Sequence, residues 1–287
     1  MEQRELKEYL IPKTMEEALE ILKDTQKKIG ILAGATDLYV GDNHGVDAYL
    51  DITKLGLSYI EKREENIVVG AGTTFDELIR SALIKEEAVC LWEAAKNLAD
   101  KTIRNVATIG GNICTAVPSG DSLTPLLALD AKFVLKSAEE ERVVAAKDFF
   151  LGVRKTARKE QEILKEIVFP IRKQNENSTF MKQGRNSEDI AMLNVAVCMV
   201  LGAEDVIQQI RIANGAVAPT PVRAVHLEKA LQGKKLDEAL IANNIEKLEQ
   251  DISPITNVRG TAQYRMDVSK VFTKRALMQT YQKIKER

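Results

Sequence analysis

Ala107-Thr108-Ile109-Gly110-Gly111-Asn112-Ile113-Cys114-Thr115 is the stretch on which the reading of the fold turns. Small residues at the end of a strand let the backbone approach a ligand closely, and the N–H groups exposed there can cradle a pyrophosphate. A Gly-Gly pair by itself serves equally well as an ordinary turn. What gives this stretch weight is a second one of the same kind upstream. Ala33-Gly34-Ala35-Thr36-Asp37-Leu38 follows the apolar run Ile29-Gly30-Ile31-Leu32-Ala33, which reads as a buried strand ending in a loop of small residues.

Working outward, Thr14 with Glu17 has capping-box spacing ahead of Ala18, Leu19, Ile21 and Leu22, so a helix starts there. Leu57 to Ala71 reads as a hairpin, with Tyr59 and Ile60 before the charged run Glu61 to Asn66 and Ile67-Val68-Val69 after it. Thr74 and Glu77 repeat the capping box, and Leu91, Trp92, Ala94, Ala95 and Leu98 mark another helix. After Pro170, the polar stretch Ile171 to Ser178 is placed as a link between two domains, 1–172 and 173–287. Beyond it, Thr179 to Met181, Ile190 to Leu201 and Val206 to Val217 read as strands. A closing helix is expected from about Val268 to Ile284, with Val271, Phe272, Leu277, Met278 and Tyr281 apolar.

Composition narrows the function. With 287 residues, 45% of them hydrophobic, the chain can bury a sizeable core. Its 41 basic and 42 acidic residues create no general attraction for nucleic acid or for an anionic membrane. The N-terminus has no apolar signal region and no run approaches the ~20 residues of a membrane span, so a soluble, cytoplasmic protein is expected. Cys90, Cys114 and Cys198 are widely spaced, and only His44 and His226 could join them, so neither a disulfide framework nor a metal site is expected. His44 lies in a turn composition (Gly41, Asp42, Asn43, Gly45) and His226 at a helix start, which leaves a Ser or Cys nucleophile without an evident base. Gly70-Ala71-Gly72-Thr73-Thr74-Phe75 begins like a dinucleotide fingerprint, but Phe75 stands where the third glycine should be. No P-loop is present.

Taken in order, these and further motifs resemble the FAD-binding subunit of the molybdenum hydroxylases, the xanthine dehydrogenase and carbon monoxide dehydrogenase family, over nearly the whole chain. Tyr9 to Pro12 and Glu16-Glu17-Ala18 resemble the family opening. Ala33 to Leu38 resembles its first flavin loop, and Ile103-Arg104-Asn105 leading into Thr108-Ile109-Gly110-Gly111-Asn112 its second. Pro118, Asp121, Leu126 to Ala131, Asp148-Phe149-Phe150, Glu162-Ile163-Leu164, Phe180 with Lys182, Gly215 to Pro219, Val258-Arg259 and Tyr264-Arg265 continue the match.

The resemblance implies an α+β chain: a PCMH-type FAD-binding fold of two subdomains, about 1–55 and 56–172, then a small antiparallel sheet with helices. FAD would lie extended, its pyrophosphate and ribityl portion wrapped by Ile31, Leu32, Ala33, Gly34, Ala35, Thr36, Asp37 and Leu38. Thr108, Ile109, Gly110, Gly111 and Asn112 would close from the other side, with Asp121 touching FAD, Leu164 packed near it and Lys182 placed by the flavin. Their plain alternatives are an N-cap, a core leucine and a solvated strand lysine. Two departures stand out: Ala35 replaces a family glycine, which predicts weaker FAD binding, and Leu98 to Thr102 differs from the small-residue stretch of many relatives. The implied partners are a molybdopterin-binding large subunit and a small subunit with two [2Fe-2S] clusters, with NAD⁺ or another acceptor taking the electrons. The rival readings are a self-sufficient FAD-dependent oxidoreductase and a scaffold that has lost FAD.

Overall fold

The computed structural model describes residues 8–40 and 46–286, so the turn expected around His44 lies outside the described residues. The chain opens with three short parallel strands in the order β1-β3-β2, where β1 is Tyr9–Leu10, β2 Ile29–Leu32 and β3 Ala48–Asp51. Helix α1 (Met15–Ile21) joins β1 to β2, and α2 (Thr36–Val40) follows β2. Thr14 Oγ1 accepts from the Glu17 amide at 3.1 Å, but the Glu17 carboxylate turns to the Lys13 amide, so only half of the expected capping box forms here. Ala18, Leu19, Leu22 and Leu50 are the buried centre of this unit.

A five-stranded antiparallel sheet follows in the order β4-β5-β10-β6-β7. Its members are β4 (Ile60–Arg63), β5 (Asn66–Gly70), β6 (Lys132–Lys136), β7 (Glu141–Ala145) and β10 (Ile163–Pro170), and the hairpin read from the sequence is β4–β5. Ile67, Val69, Phe133, Leu135 and Ile167 carry the apolar face that the intervening helices cover. Those helices are α3 (Phe75–Arg80), α4 (Ala82–Glu87), α5 (Val89–Asn97), α6 (Lys101–Arg104), α7 (Ile109–Thr115), α8 (Leu123–Ala128) and α9 (Ala146–Phe149). Thr74 and Glu77 complete a reciprocal capping box at the start of α3. A small hairpin, β8 (Phe150–Gly152) with β9 (Lys155–Thr156), projects beside α7.

The last part is a four-stranded antiparallel sheet in sequence order: β11 (Glu176–Gln183), β12 (Leu193–Leu201), β13 (Ile207–Gly215) and β14 (Val222–Arg223). Helices α10 (Val225–Leu231), α11 (Glu238–Asn244) and α12 (Ala262–Lys285) accompany it. Odd-numbered residues of β12, Leu193 to Leu201, face this helical layer together with Ile210 and Ile212. Ala196 and Cys198, with Phe180 and Ala213, instead enter the core of the five-stranded unit. Being covered on both faces is why all nine residues of β12 are buried.

Two element readings change. Glu176, Asn177 and Ser178, read as linker because they are polar, begin β11 and are buried. Their polar groups have partners: Glu176 pairs with Arg211 at 2.7 Å, Asn177 Nδ2 donates to the Lys283 carbonyl, and Ser178 Oγ accepts from the Cys90 amide. Helix α12 starts earlier than expected, at Ala262, and its buried stripe is Arg265, Ser269, Thr273, Ala276, Leu277 and Thr280, while Val271 is exposed. Leu277 of the expected apolar set is in this stripe, Phe272, Met278 and Tyr281 pack against the same core from its flank, and the small Ser269, Thr273, Ala276 and Thr280 let the helix lie close on β11 and β12.

Candidate functional site

The second loop is moored by a segment with no chemical role of its own. Gly110 N donates to Ala71 O at 2.9 Å, Ile109 N to Thr73 O at 2.9 Å, and Phe75 N to Ala107 O at 3.0 Å. Gly70-Ala71-Gly72, which imitates a nucleotide fingerprint, is thus the backbone track on which the loop lies. A Cβ on Gly110 would come within 2.6 Å of the Ala71 carbonyl oxygen, so this glycine serves packing. Gly111 N donates to Thr108 Oγ1 at 3.0 Å and Asn112 N to Thr108 O at 3.0 Å. All four leading amides of α7 are therefore engaged within the chain, and the loop offers a ligand its bare surface rather than donors. Gly111 supplies that surface: a Cβ there would meet only Thr108 Oγ1, at 2.9 Å, and open space otherwise.

Donors come from the first loop. Gly34 lies so close to the second loop that a Cβ would fall 1.8 Å from the Val106 carbonyl oxygen. The amides of Ala33, Gly34 and Ala35 donate to no group among the described residues. Ala35 has φ +57°, in the left-handed region. Consecutive free N–H groups ending in a left-handed residue form the concavity that backbone uses to bind anions. A glycine takes this conformation freely, whereas alanine there costs roughly 1 kcal/mol. Ile31 and Leu32 are the half-buried end of β2, and Thr36, Asp37 and Leu38 open α2.

Asp121, Lys182 and the second loop form one polar chain. Asn112 Oδ1 accepts from Ser122 Oγ at 2.7 Å. The neighbouring Asp121 pairs with Lys182 (Nζ to Oδ2 2.7 Å), and Asn194 Nδ2 donates to its other oxygen at 3.3 Å. Thr124 Oγ1 in turn donates to Asn194 Oδ1 at 3.0 Å. Asp121 is thus not an N-cap, and Lys182, whose side chain is 5% exposed, is not a solvated strand lysine. Burial pushes the Asp121 carboxyl up from its ordinary value, and Lys182 and Asn194 pull against that rise. The Lys182 ammonium also donates to Asn97 O at 2.9 Å, so one of its three protons has no partner among the described residues. Leu164, on β10, is 3% exposed and shares the core of Ile109 and Ile113, with α7 packed on that strand.

Two contributors escaped the sequence reading. Asn194 is fully buried behind Asp121, and Arg154, in the β8–β9 turn, pairs with Asp37 at 2.8 Å. Neither has a local signal: 73 positions separate Asn194 from Asp121, and 117 separate Arg154 from Asp37. The other reactive side chains have structural duties. His226 holds Asp251 at 2.7 Å, where that carboxylate also accepts the amides of His226 and Leu227. Burial raises the thiols of Cys90, to about 12, and of Cys114, away from nucleophilic use.

Comparison with known proteins gives the same reading. The family described as FAD binding domain in molybdopterin dehydrogenase matches residues 4–172, and the CO dehydrogenase flavoprotein C-terminal domain matches residues 178–280. The xanthine dehydrogenase FAD-binding subunit of Escherichia coli O157:H7 is 32% identical over 92% of this chain and 92% of its own length. The glyceraldehyde dehydrogenase medium chain of Sulfolobus acidocaldarius is 32% identical over 80% of this chain and 82% of its own. Among solved structures, a carbon monoxide dehydrogenase from Hydrogenophaga pseudoflava superposes with a TM-score of 0.92 at 31% identity, covering 96% of this chain and 97% of that one. The residues fit the implied cofactor. A dinucleotide needs amide donors for its phosphates, bare backbone beside them and a buried polar contact, and the first loop, Gly111 and the free Lys182 proton answer to these. An α+β fold, two glycine loops brought into contact and the match across both halves together make this chain a member of the family of FAD-binding subunits of molybdopterin dehydrogenases, a flavoprotein oxidoreductase subunit.

Proposed function

We propose that this chain is the electron-transfer subunit of a molybdopterin-dependent hydroxylase, receiving electrons from the iron–sulfur clusters of a partner subunit and delivering them to NAD⁺ or another acceptor. The observation that carries the reading is the contact of the two loops, one with free amides and the other with bare glycine surface. In this reading Ala33, Gly34 and Ala35 hold the pyrophosphate by their amides, flanked by Ile31, Leu32, Thr36, Asp37 and Leu38. Gly111 and Asn112, set by Thr108, Ile109 and Gly110, border the cofactor from the opposite side. Lys182, aimed by Asp121, offers its free proton to the cofactor, and Leu164 lies beneath the second loop. Bound FAD supplies the two-electron redox chemistry. The protein's share is to hold it, orient it and set the polarity around it. The molybdopterin-binding large subunit and the small subunit with two [2Fe-2S] clusters are the partners this role requires.

Purified chain, denatured, should release one FAD per polypeptide, with no flavin left on the protein. Loaded with FAD and free of other subunits and of molybdenum, it should oxidise neither purine nor aldehyde, yet pass electrons between NADH and a dye. Turnover of a hydroxylase substrate by the lone chain would replace this reading with the self-sufficient oxidoreductase. Failure to take up flavin would favour the scaffold, and release of FMN would count against FAD as the cofactor.

A further inference from the structure

Two backbone segments that border the cleft are tied by a residue that belongs to neither. Arg154 occupies the β8–β9 turn in the left-handed conformation, φ +56°. Its amide donates to the Ala116 carbonyl at 3.0 Å, and Ala116 is the left-handed residue that ends α7. Its guanidinium reaches Asp37 with two prongs, Nη1 to Oδ2 at 2.8 Å and Nη2 to Oδ1 at 3.4 Å. Asp37 stands in the first turn of α2, two positions after left-handed Ala35. One residue therefore grips the far end of the second loop by its backbone and the near end of the first by its side chain. The loops also touch where Gly34 meets the Val106 carbonyl, so that they are held at two separate places.

We infer that the β8–β9 turn is a clasp: the Arg154–Asp37 pair keeps the first loop closed on the second and slows the escape of FAD. This rests on the FAD assignment proposed above. Arg154 is a positioning residue, acting through Asp37 and the loop that leads into it. The competing role for a cation here is direct attraction of the cofactor phosphates, and the two roles differ in sign at Asp37. A clasp needs the carboxylate. A phosphate-binding arginine would be freed by its loss.

The test uses the FAD-loaded full chain and follows the rise in free-flavin fluorescence after dilution, for the wild type, Arg154→Gln, Asp37→Asn and the double variant. Both side chains are about half exposed, so the pair is screened by salt and its effect is modest. Each single variant is expected to release FAD about two- to fivefold faster, within the range an exposed pair supports. The double variant should be no faster than either single, because one interaction is removed in each case. Added salt should speed release from the wild type and leave the variants unchanged. Thermal unfolding of the FAD-free proteins should not move, which a merely structural pair would not satisfy. Unchanged release in the single variants, additive effects, or slower release from Asp37→Asn would overturn the clasp. A wild-type chain that takes up no FAD would remove the assignment beneath it, a result distinct from any of these.

Discussion

At Gly34 and Gly111 the same added methyl group meets opposite surroundings. At Gly34 it would run into the Val106 carbonyl oxygen at 1.8 Å, which is backbone and cannot rotate away. Gly34→Ala should therefore cost about 2 kcal/mol or more of folding stability, the scale of an overpacked site, and part the two loops. Urea unfolding measures the first effect and flavin content the second. At Gly111 the added Cβ meets only the Thr108 hydroxyl, so Gly111→Val, less costly than Gly34→Ala, should lose on the order of 1 kcal/mol, that of a displaced N-cap. Its flavin-to-protein ratio should nevertheless fall steeply, since the new side chain fills the open face. A Gly111→Val chain with full FAD content would take the second loop out of the site. Both glycines were legible in the sequence as candidates, but not their difference. That depends on Val106 and Thr108, and on which side of each glycine the fold leaves bare.

At the scale of elements, what sequence made readable is what neighbouring residues decide. The β4–β5 hairpin, the capping box before α3 and the strand leading into the first loop follow from local periodicity and local hydrogen bonding, whereas the second loop, read as the end of a strand, lies between α6 and α7. What it hid is pairing across distance. The leading amides of α7 look free to any local reading, yet Ala71 and Thr73, more than thirty positions earlier, take two of them. On α12 the apolar positions Leu277, Phe272, Met278 and Tyr281 do meet the core, but Ser269 and Thr273, small enough to pack and too polar to score as core, were missed. Strand β10 and Glu162 just before it show the same long reach through charge. Glu162 is buried, which opposes its ionisation, but the Arg142 guanidinium and the Lys159 amide outweigh this and hold its carboxyl below the ordinary range. Glu166 is likewise held down, against its burial, by the Tyr59 hydroxyl and by Arg63. Folded values below the unfolded ones mean that these groups stabilise the protein above about pH 4.3 and cease to do so as pH falls through the lowered values. Urea midpoints of the wild type should drop across that acid range. Glu162→Gln should flatten the drop, and an unaltered acid profile would show that the Arg142 pair carries no such linkage.

Across the whole molecule, the two halves are not independent bodies joined by a strap. Phe180, Ala196, Cys198 and Ala213 complete the core built by Phe133, Ile167 and the helices α5 and α8. The Asp121–Lys182–Asn194 chain crosses the same boundary. A fragment ending at residue 172 should for this reason expose apolar surface, bind a hydrophobic dye and fail to retain FAD. A stable, flavin-loaded fragment would show that the shared core is dispensable.

That shared core also sets a timetable for the protein's birth. Both glycine loops have been synthesised once Thr115 has left the ribosome, but the side chains that close the core behind them continue to Ala213. At roughly 5–20 residues per second, the interval is on the order of ten seconds, during which the nascent flavin half has its loops but not its backing. Cofactor insertion would then follow the making of β13 rather than accompany the loops, and the unfinished half is the stage at which a chaperone would find apolar surface to hold.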